Sequence, residues 1–395
     1  MTAPAGVGGG CSILVVDDNE LNRDLLSRRL RRMGHAVEAV EDGGRALELL
    51  SAAPFDLVML DIMMPGMNGY EVLARLKADP ALCHVPVIMI TAVDDEASVV
   101  RCIELGAEDY MPKPFNPALL KARVGSSLAK KRLHDREQTY AAGLARELDI
   151  GRHIQQGFLP ARLPAADGWE LTARFAPARQ VAGDFYDAFL LPHGRLAVVV
   201  ADVCDKGVGA ALFMALFRSL FRALSEQRFA AAAPGDPPGA ALLDVMSATN
   251  DYIGRTHSDA NMFATVFFGV VELATGTLWY ANGGHELPVV LAGDGAVRAR
   301  LEVTGPAVGL MPDLAFRVAE ARLHPGDQLL AFTDGVVDAR APSGEPFGEA
   351  RLLGCAAAAP GAALAAIERG MSEFCAGEPA FDDVTMIAVR RAAAP

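Results

Sequence analysis

Residues 196–203 read LAVVVADV, an apolar run of strand length that ends at an aspartate and a valine. Three further strings in the second half of the chain place an aspartate at one end of an apolar run: AGDFYD at 182–187, FTDG at 332–335 and FDDVT at 381–385. Short apolar runs bounded by turn residues predict β-strands, and a sheet brings the ends of distant strands together. The four strings therefore predict one carboxylate cluster able to bind divalent metal, formed by Asp184, Asp202, Asp334 and Asp382.

The first half of the chain repeats this arrangement with a separate set of residues. Five short apolar runs alternate with amphipathic stretches of helix length, and such βα units predict a parallel sheet covered on both faces. Ligands of such sheets bind beyond the carboxyl ends of the strands, where Asp17, Asp18, Asp61, Thr91 and Lys113 fall. The three aspartates predict a Mg²⁺ site with one aspartate free to be phosphorylated, and Lys113 would neutralise the transferred phosphoryl group.

Length and charge limit the classes of function. A chain of 395 residues is too long for one typical domain, which favours two cores of roughly 100 to 250 residues each. The formal net charge is -13, and neither a basic stripe nor a recognition-helix module is visible. Both observations argue against an output that binds nucleic acid.

The remaining composition predicts a cytoplasmic protein. The six cysteines show neither a CxxC nor a zinc-like spacing, and the N-terminal residues lack the basic start and apolar core of a signal peptide. No apolar run reaches the roughly 18 residues of a membrane span. We therefore expect the reducing cytoplasm and no membrane partner.

Residues 12–125 resemble the receiver domain of a two-component response regulator. The residues that carry the resemblance are Asp17, Asp18, Asp61, Thr91, Tyr110 and Lys113, in the expected order and spacing. The resemblance implies a flavodoxin-like sheet of five parallel strands. It also implies that Asp61 accepts a phosphoryl group from a cognate histidine kinase or phosphotransfer protein.

The same resemblance implies roles for the other residues of this edge. Mg²⁺ would be held by Asp17, Asp18, Asp61 and the carbonyl group of Met63. Thr91 and Tyr110 would form the switch pair, together with Lys113. The Lys113-Pro114 bond would be cis, which proline makes tolerable.

Residues 126–160 have a helical pattern of apolar residues at mostly three-, four- and seven-residue spacings. A helix with so narrow an apolar seam is typical of a coiled coil or signalling helix, which favours a homodimer. The alternative is an inert spacer packed on the next domain. The predicted domains are a disordered N-terminus at 1–11, the receiver at 12–125, the helical linker at 126–160 and a second domain at 161–392.

The second domain has strand runs separated by turns and a pair of long helices, which predicts an α+β layered sandwich with helices outside two sheets. Its four motif aspartates offer oxygen ligands only, which favours Mg²⁺ or Mn²⁺ over zinc. A pair of such ions would polarise a phosphoryl oxygen and lower the pKa of the attacking water. The predicted reaction is the hydrolysis of a phosphate ester without a covalent enzyme intermediate.

Residues from about 147 to 390 resemble the metal-dependent serine/threonine phosphatases of the PPM superfamily, and specifically the SpoIIE-type branch that controls sigma-factor partner switching. The strings that carry the resemblance are IQQGFLP (154–160), GDFYD (183–187), DVCDKGV (202–208), NGGH (282–285), TDG (333–335) and DDVT (382–385). The resemblance implies the layered α-β-β-α fold of that superfamily and a phosphorylated anti-sigma-factor antagonist as substrate.

The resemblance implies a ligand set for two Mn²⁺ or Mg²⁺ ions: Asp202, the Val203 carbonyl, Asp334 and Asp382, with Asp184 bound directly or through water. Asp383 is the weaker candidate of its pair. Cys204-Asp205 departs from the small neutral pair often found in the family and adds a carboxylate close to the metals. We exclude Cys204 as a nucleophile because no phosphate loop with a following arginine surrounds it, and we interpret His285 as structural.

Two hypotheses of function follow from these motifs. The first is a protein phosphatase controlled by phosphorylation of Asp61. The second is a non-enzymatic adaptor whose phosphatase-like domain only binds a partner. A decayed site should have lost one of Asp202, Asp334 or Asp382, and all three are present.

Overall fold

The computed structural model describes residues 10–91, 96–233, 235–378 and 380–393. Nearly all of the N-terminal segment predicted to be disordered lies outside these residues. Contacts between residues divide the chain into two compact units, with the division between Leu144 and Ala145.

Among the described residues of the first unit, five short strands alternate with four helices before the long helix that follows them. The strands are β1 Ser12–Val16, β2 Ala36–Val40, β3 Leu57–Asp61, β4 Val87–Thr91 and β5 Asp109–Pro112. The helices are α1 Glu20–Arg32, α2 Gly43–Ala52, α3 Gly69–Ala78 and α4 Glu96–Glu104. The strands are all parallel, in the order β2-β1-β3-β4-β5, and the central β3 and β4 are buried along their whole length. The predicted receiver fold is confirmed, since burial on both faces is what flanking helices impose on a parallel sheet.

A single helix, α5, runs over 40 residues from Pro117 to Gln156. In its first part, Leu120, Val124 and Leu128 recur every four residues and are buried in the core beside β1 and β3. This spacing places them on one face of the helix. The predicted long helix between the two domains is confirmed.

In the second unit, the residues that the structure describes form two antiparallel sheets of five strands each. The first sheet consists of β7 Phe185–Leu191, β8 Arg195–Val203, β9 Ala264–Glu272, β10 Thr277–Gly283 and β13 Ala319–Arg322. The second consists of β6 Trp169–Ala176, β11 Val289–Leu291, β12 Val297–Arg300, β14 Gln328–Phe332 and β15 Val384–Arg391. Their strand orders are β13-β10-β9-β8-β7 and β12-β11-β14-β15-β6.

Strand β8 shows how two-residue periodicity builds the layers of this unit. Its residues 196, 198 and 200 enter a core shared with Ile387 and Val389 of β15, between the sheets. Its residues 197, 199 and 201 enter a core shared with the helices α6 Val208–Ala231 and α7 Gly239–Thr256. The outer face of the second sheet is covered by α8 Asp334–Val337, α9 Gly348–Ala358 and α10 Ala363–Cys375. The predicted α-β-β-α sandwich is confirmed.

Helix α6 is long and apolar enough to cross a membrane by length and composition, although arginines interrupt its apolar residues. Within the described residues it is the helix that meets this criterion, with a mean hydropathy of 1.4. However, Met214, Phe217 and Phe221 pack in the core against the first sheet. On the same helix, Arg222 forms a two-point ion pair with the buried Asp187 of β7. These are the contacts of a core helix.

Candidate functional sites

The carboxyl-end edge of the parallel sheet carries three acidic side chains and one lysine. Asp17 and Asp18 follow β1, Asp61 ends β3 and Lys113 follows β5. Lys113 Nζ lies 2.9 Å from Asp17 Oδ2 and 2.8 Å from Asp61 Oδ2. One carboxylate oxygen from each aspartate lies within 4.8 Å of the other two. The structure therefore brings together four residues that the sequence placed at this edge.

The electrostatics of this site fit a bound Mg²⁺. Burial raises the pKa of the Asp61 carboxyl, while the hydrogen bond from Lys113 opposes the rise. Burial lowers the pKa of Lys113, but its hydrogen bonds with Asp61 and Asp17 outweigh burial, so this pKa is raised. Three carboxylates around one ammonium leave a net negative group of oxygen ligands, which is the donor set that Mg²⁺ prefers.

Two helix N-termini hold this edge in place. Asn19 caps α1, and its own amide donates to Asp17 Oδ1 at 2.9 Å. Gly69 begins α3 so close to β3 that a Cβ atom there would lie 2.2 Å from the Asp61 carbonyl oxygen. A side chain at residue 69 would therefore push the end of β3 out of position.

The other residues predicted to act at this edge differ in how far their side chains are buried. Thr91 ends β4 and is buried, whereas the Met63 side chain is exposed. Tyr110 is half-buried in β5, with the Arg123 guanidinium 4.7 Å from the centroid of its ring. The Lys113-Pro114 bond is cis, as predicted. The switch role of Thr91 and Tyr110 and the ligand role of the Met63 carbonyl stay predictions.

The second acidic site lies where strands of both antiparallel sheets end. Asp184 precedes β7, and Asp202 lies next to the end of β8; the register that pairs Phe185 with Ala201 places the two aspartates side by side. Asp334 follows β14, and Asp382 precedes the antiparallel β15. The four aspartates thus come from both sheets of the sandwich.

These carboxyl groups interact with one another. Burial, and next the carboxylates of Asp334 and Asp382, raise the pKa of Asp202 to about 7. Burial also raises the pKa of Asp184, with Asp202 as the second cause, while Thr333 Oγ1 donates to Asp184 Oδ2 at 2.7 Å. Repulsion of this kind is relieved by a bound cation, and the oxygen-only donor set fits Mg²⁺ or Mn²⁺.

The two sites differ in how tightly their oxygens are grouped. Over the residues that the structure describes, the set of three or more potential ligands within 4.8 Å of one another is Asp17, Asp18 and Asp61. Asp202, Asp334 and Asp382 interact at longer range. Their roles as metal ligands therefore stay predictions, together with the role of the Val203 carbonyl.

The neighbouring Asp382 and Asp383 have different environments. Asp382 is half-buried, and its Oδ2 lies 2.7 Å from Lys206 Nζ. Asp383 is buried, and its two oxygens accept from the amides of Ala178 at 2.7 Å and Gly183 at 2.8 Å. The Asp383 carboxylate thus anchors the loop that carries Asp184, whereas Asp382 interacts with the other acids.

Glycine is required in that loop by a close approach of two main chains. A Cβ atom at Gly183 would lie 2.9 Å from the Val203 carbonyl oxygen. Any other residue would separate the loop before β7 from the end of β8. Asp184 and Asp202 lie directly beside this contact, so the glycine allows the two carboxylates to be neighbours.

Sequence reasoning missed two further acids. Burial raises the pKa of Glu286, and the carboxylates of Asp334 and Asp338 raise it further. Glu286 follows the NGGH motif directly, and Asp338 lies one helical turn beyond Asp334. Their position beside these motifs is the sequence signal that could have identified both acids. The described acidic region therefore extends beyond the four motif aspartates.

Cys204 and His285 both lie in structural contacts. Cys204 Sγ accepts from the amide of Phe263 at 3.2 Å, and burial raises the pKa of its thiol. His285 is buried, its Nδ1 lies 2.9 Å from Thr265 Oγ1, and burial lowers its pKa to about 4. A thiol of raised pKa is a poor nucleophile at neutral pH, in agreement with its exclusion from the catalytic set.

Family models match both parts of the chain. The receiver domain of response regulators matches residues 13–125, and the Stage II sporulation protein E (SpoIIE) model matches residues 192–392, just over half of the chain. The SiaA-PP2C domain of Pseudomonas aeruginosa shares 24% identity and a TM-score of 0.50, over 64% of this chain and 98% of that one. That likeness concerns the fold.

Two curated relatives match about two thirds of this chain. Protein IcfG of Synechocystis is 45% identical over 263 residues, which cover 62% of this chain and 41% of IcfG. Response regulator PleD of Caulobacter vibrioides is 30% identical over 262 residues, which cover 64% of this chain and 58% of PleD. The matched region is thus less than two thirds of either relative. Together with the two folds and their acidic sites, the match over residues 192–392 shows that the chain belongs to the SpoIIE family of PPM phosphatase domains, here joined to a receiver domain.

Proposed function

We propose that the protein is a response regulator in which phosphorylation of Asp61 controls a metal-dependent protein serine/threonine phosphatase. The observation that carries the proposal is that four strand-end aspartates from both sheets lie at one edge of the sandwich. Asp202, Asp334 and Asp382 fall within the residues that the SpoIIE model matches. Both carboxylate oxygens of Asp383 accept from main-chain amides, which is a structural role. Asp202 has other carboxylates around it instead.

The residues assigned to the metals are Asp184, Asp202, the Val203 carbonyl, Asp334 and Asp382. Mg²⁺ or Mn²⁺ bound there would polarise a phosphoryl oxygen and lower the pKa of the attacking water. Thr333 orients the Asp184 carboxylate through its hydroxyl, and Asp383 fixes the loop on which Asp184 lies. Lys206 supplies positive charge beside Asp382.

The input site is Asp61, charged by a cognate histidine kinase or phosphotransfer protein. Lys113 already contacts the Asp61 carboxylate and would contact an added phosphoryl oxygen through the same ammonium group. A phosphoryl group adds nearly two negative charges, which is enough to shift a two-state surface that involves Thr91 and Tyr110. Mg²⁺ held by Asp17, Asp18, Asp61 and the Met63 carbonyl would be required for the transfer.

The proposed substrate is a phosphorylated anti-sigma-factor antagonist in a partner-switching pathway. Membership of the SpoIIE family supports this assignment. We further propose that the chain forms a homodimer, because Leu133, Tyr140 and Leu144 leave an apolar seam exposed along α5. The proposed localisation is the cytoplasm.

The direct test is the turnover of p-nitrophenyl phosphate by the full chain. We expect turnover that depends on added Mn²⁺ and that a chelator abolishes. A phosphorylated antagonist domain then serves as substrate, with and without beryllofluoride on the receiver. Absence of turnover on both substrates at saturating Mn²⁺ would favour the non-enzymatic adaptor.

A further inference from the structure

Beside the acidic site of the second unit lies an open cleft of about 580 Å³ with basic walls. The residues on which the inference depends are Arg179, Lys206, Arg340, Glu378 and Phe381. Three cationic side chains and one carboxylate line the cleft, so its charge is positive although the formal net charge of the chain is -13. We call this feature the Phe381 cleft.

The Phe381 ring is the centre of the cleft. It is 54% exposed although it is a large apolar side chain. Lys206 Nζ and the Arg340 guanidinium carbon each lie 4.9 Å from the centroid of this ring. Cations over an aromatic ring are held in place by the ring's electrostatic field, so both positive charges stay at the wall of the cleft.

The cleft adjoins the acidic site directly. Phe381 precedes Asp382 in the chain, and Lys206 Nζ contacts both the Phe381 carbonyl oxygen at 3.1 Å and Asp382 Oδ2 at 2.7 Å. Among the described residues, neither Arg179 nor Arg340 has a carboxylate within ion-pair distance, and both are exposed. The two guanidinium groups are therefore available to an anionic ligand that enters the site.

A second, more apolar cavity of about 330 Å³ shares Arg340, Glu378 and Phe381 with the cleft. Its other walls include Phe175, Met371 and Met386. An extended peptide advances about 3.4 Å per residue, so one short segment can cover an acidic site and an adjoining cavity at once. The two cavities thus form one surface with a cationic part and an apolar part.

We infer that this surface is the docking site for the protein substrate, and that it selects a phosphorylated segment with acidic residues close to the phosphorylated serine or threonine and a large apolar residue beside them. The inference rests on the proposed phosphatase function. An anionic segment must approach a cluster of carboxylates, and Arg179 and Arg340 reduce the repulsion that it meets there. The apolar residue occupies the cavity behind Phe381.

The test compares two synthetic phosphoserine peptides that differ only in their flanks. One has Asp and Glu around the phosphoserine, and the other has Asn and Gln at the same positions. The enzymes are the full wild-type chain, the double variant R179Q/R340Q and the control R317Q. Arg317 is exposed and lies outside the cleft, so the control removes an arginine without changing the proposed surface.

We expect the wild type and R317Q to have a kcat/KM roughly three- to tenfold higher for the acidic peptide, mainly through KM. The preference should disappear in R179Q/R340Q and fall with added salt, because exposed charges are screened. Turnover of p-nitrophenyl phosphate should stay within about twofold in all three proteins, since that substrate has no flanks. Replacing the apolar residue of the acidic peptide by alanine should raise KM in the wild type.

An unchanged acidic preference in the double variant, or no preference in the wild type, would overturn the inference. If Mn²⁺-dependent turnover is absent from every substrate, the proposed function fails, and fluorescence anisotropy of the labelled acidic phosphopeptide then decides the docking question. Weaker binding by R179Q/R340Q than by R317Q would support the docking site even so. Equal binding by the two variants would reject it.

Discussion

The side-chain amide of Gln155 forms two hydrogen bonds with the main chain of Ala182. Its Nε2 donates to the Ala182 carbonyl at 2.6 Å, and its Oε1 accepts from the Ala182 amide at 3.0 Å. Gln155 is buried in the last turn of α5, and Ala182 lies two residues before Asp184. The end of the long helix is thereby joined to the loop that carries an acid of the candidate active site.

Replacing Gln155 by alanine should disturb this loop. Two buried main-chain groups would lose their partners, which costs about 1 to 3 kcal/mol of unfolding free energy. We expect a lower melting temperature and reduced Mn²⁺-dependent turnover of p-nitrophenyl phosphate. The matched control is Gln156→Ala, because Gln156 is the next residue, of the same type, and exposed. Equal behaviour of the two variants would show that the Gln155 contact is dispensable.

The adjacent aspartates of the FDDVT string should respond differently to the same change. Asp382→Asn removes charge from the acidic site, so metal affinity and turnover should fall by orders of magnitude while the melting temperature is kept. Asp202→Asn should behave like Asp382→Asn. Asp383→Asn weakens two buried main-chain hydrogen bonds and should lower the unfolding free energy by about 1 to 3 kcal/mol. Calorimetry of Mn²⁺ binding and thermal unfolding separate the effects, and near-normal Mn²⁺ affinity in Asp202→Asn would contradict the ligand assignment.

Asp61→Asn should leave basal phosphatase activity and abolish its response to a phosphodonor. The amide side chain cannot accept a phosphoryl group, whereas Asp17, Asp18 and Lys113 remain. The control is Asp24→Asn, which changes an exposed residue of α1 that pairs with Arg28. Turnover is measured with and without acetyl phosphate or beryllofluoride. A variant at residue 61 that still responds would show that the signal does not pass through this residue.

Insertions in α5 test whether the helix transmits the signal as a rigid element. The helix is continuous over 40 residues, and each residue turns it by about 100°. Four residues inserted after Gln138 restore the register to within roughly 40°, whereas two residues turn the following part by about 200°. We expect the two-residue insertion to lose the phosphodonor response of the phosphatase and the four-residue insertion to keep it. Equal coupling in both proteins would mean that the helix acts as a tether.

Asp205 stands where the resemblance to the family predicts a small neutral residue. Its backbone conformation suggests a substitution that tests its role. Its φ is 69°, in the left-handed region that favours glycine, and its Oδ1 accepts from the Lys206 amide. Asp205→Gly relieves backbone strain but removes that hydrogen bond, so the unfolding free energy should change by no more than about 1 kcal/mol. Mn²⁺-dependent turnover should be retained. A large loss of Mn²⁺ affinity would show instead that the Asp205 carboxylate binds metal.

Much of this molecule was predictable from local patterns in the chain. Five βα units predict a parallel sheet, and aspartates at the ends of apolar runs predict acidic edges, because strand geometry and turn chemistry depend on neighbouring residues. The division into two domains, the parallel sheet of the first and the grouping of Asp17, Asp18 and Asp61 follow from such patterns. Helix α6 shows the limit of this reasoning, since its composition alone does not distinguish a core helix from a membrane helix.

Tertiary structure decided the different environments of adjacent residues of the same type. The sequence alone does not show that Gln155 is buried against Ala182 while Gln156 is exposed, or that Asp383 binds main-chain amides while Asp382 faces other acids. Nor does it place Glu286 beside Asp334, or Arg340 over Phe381. These pairings join residues distant in the sequence, and their geometry is set by how sheets and helices pack. Local propensity determined the elements, and packing determined which side chains meet.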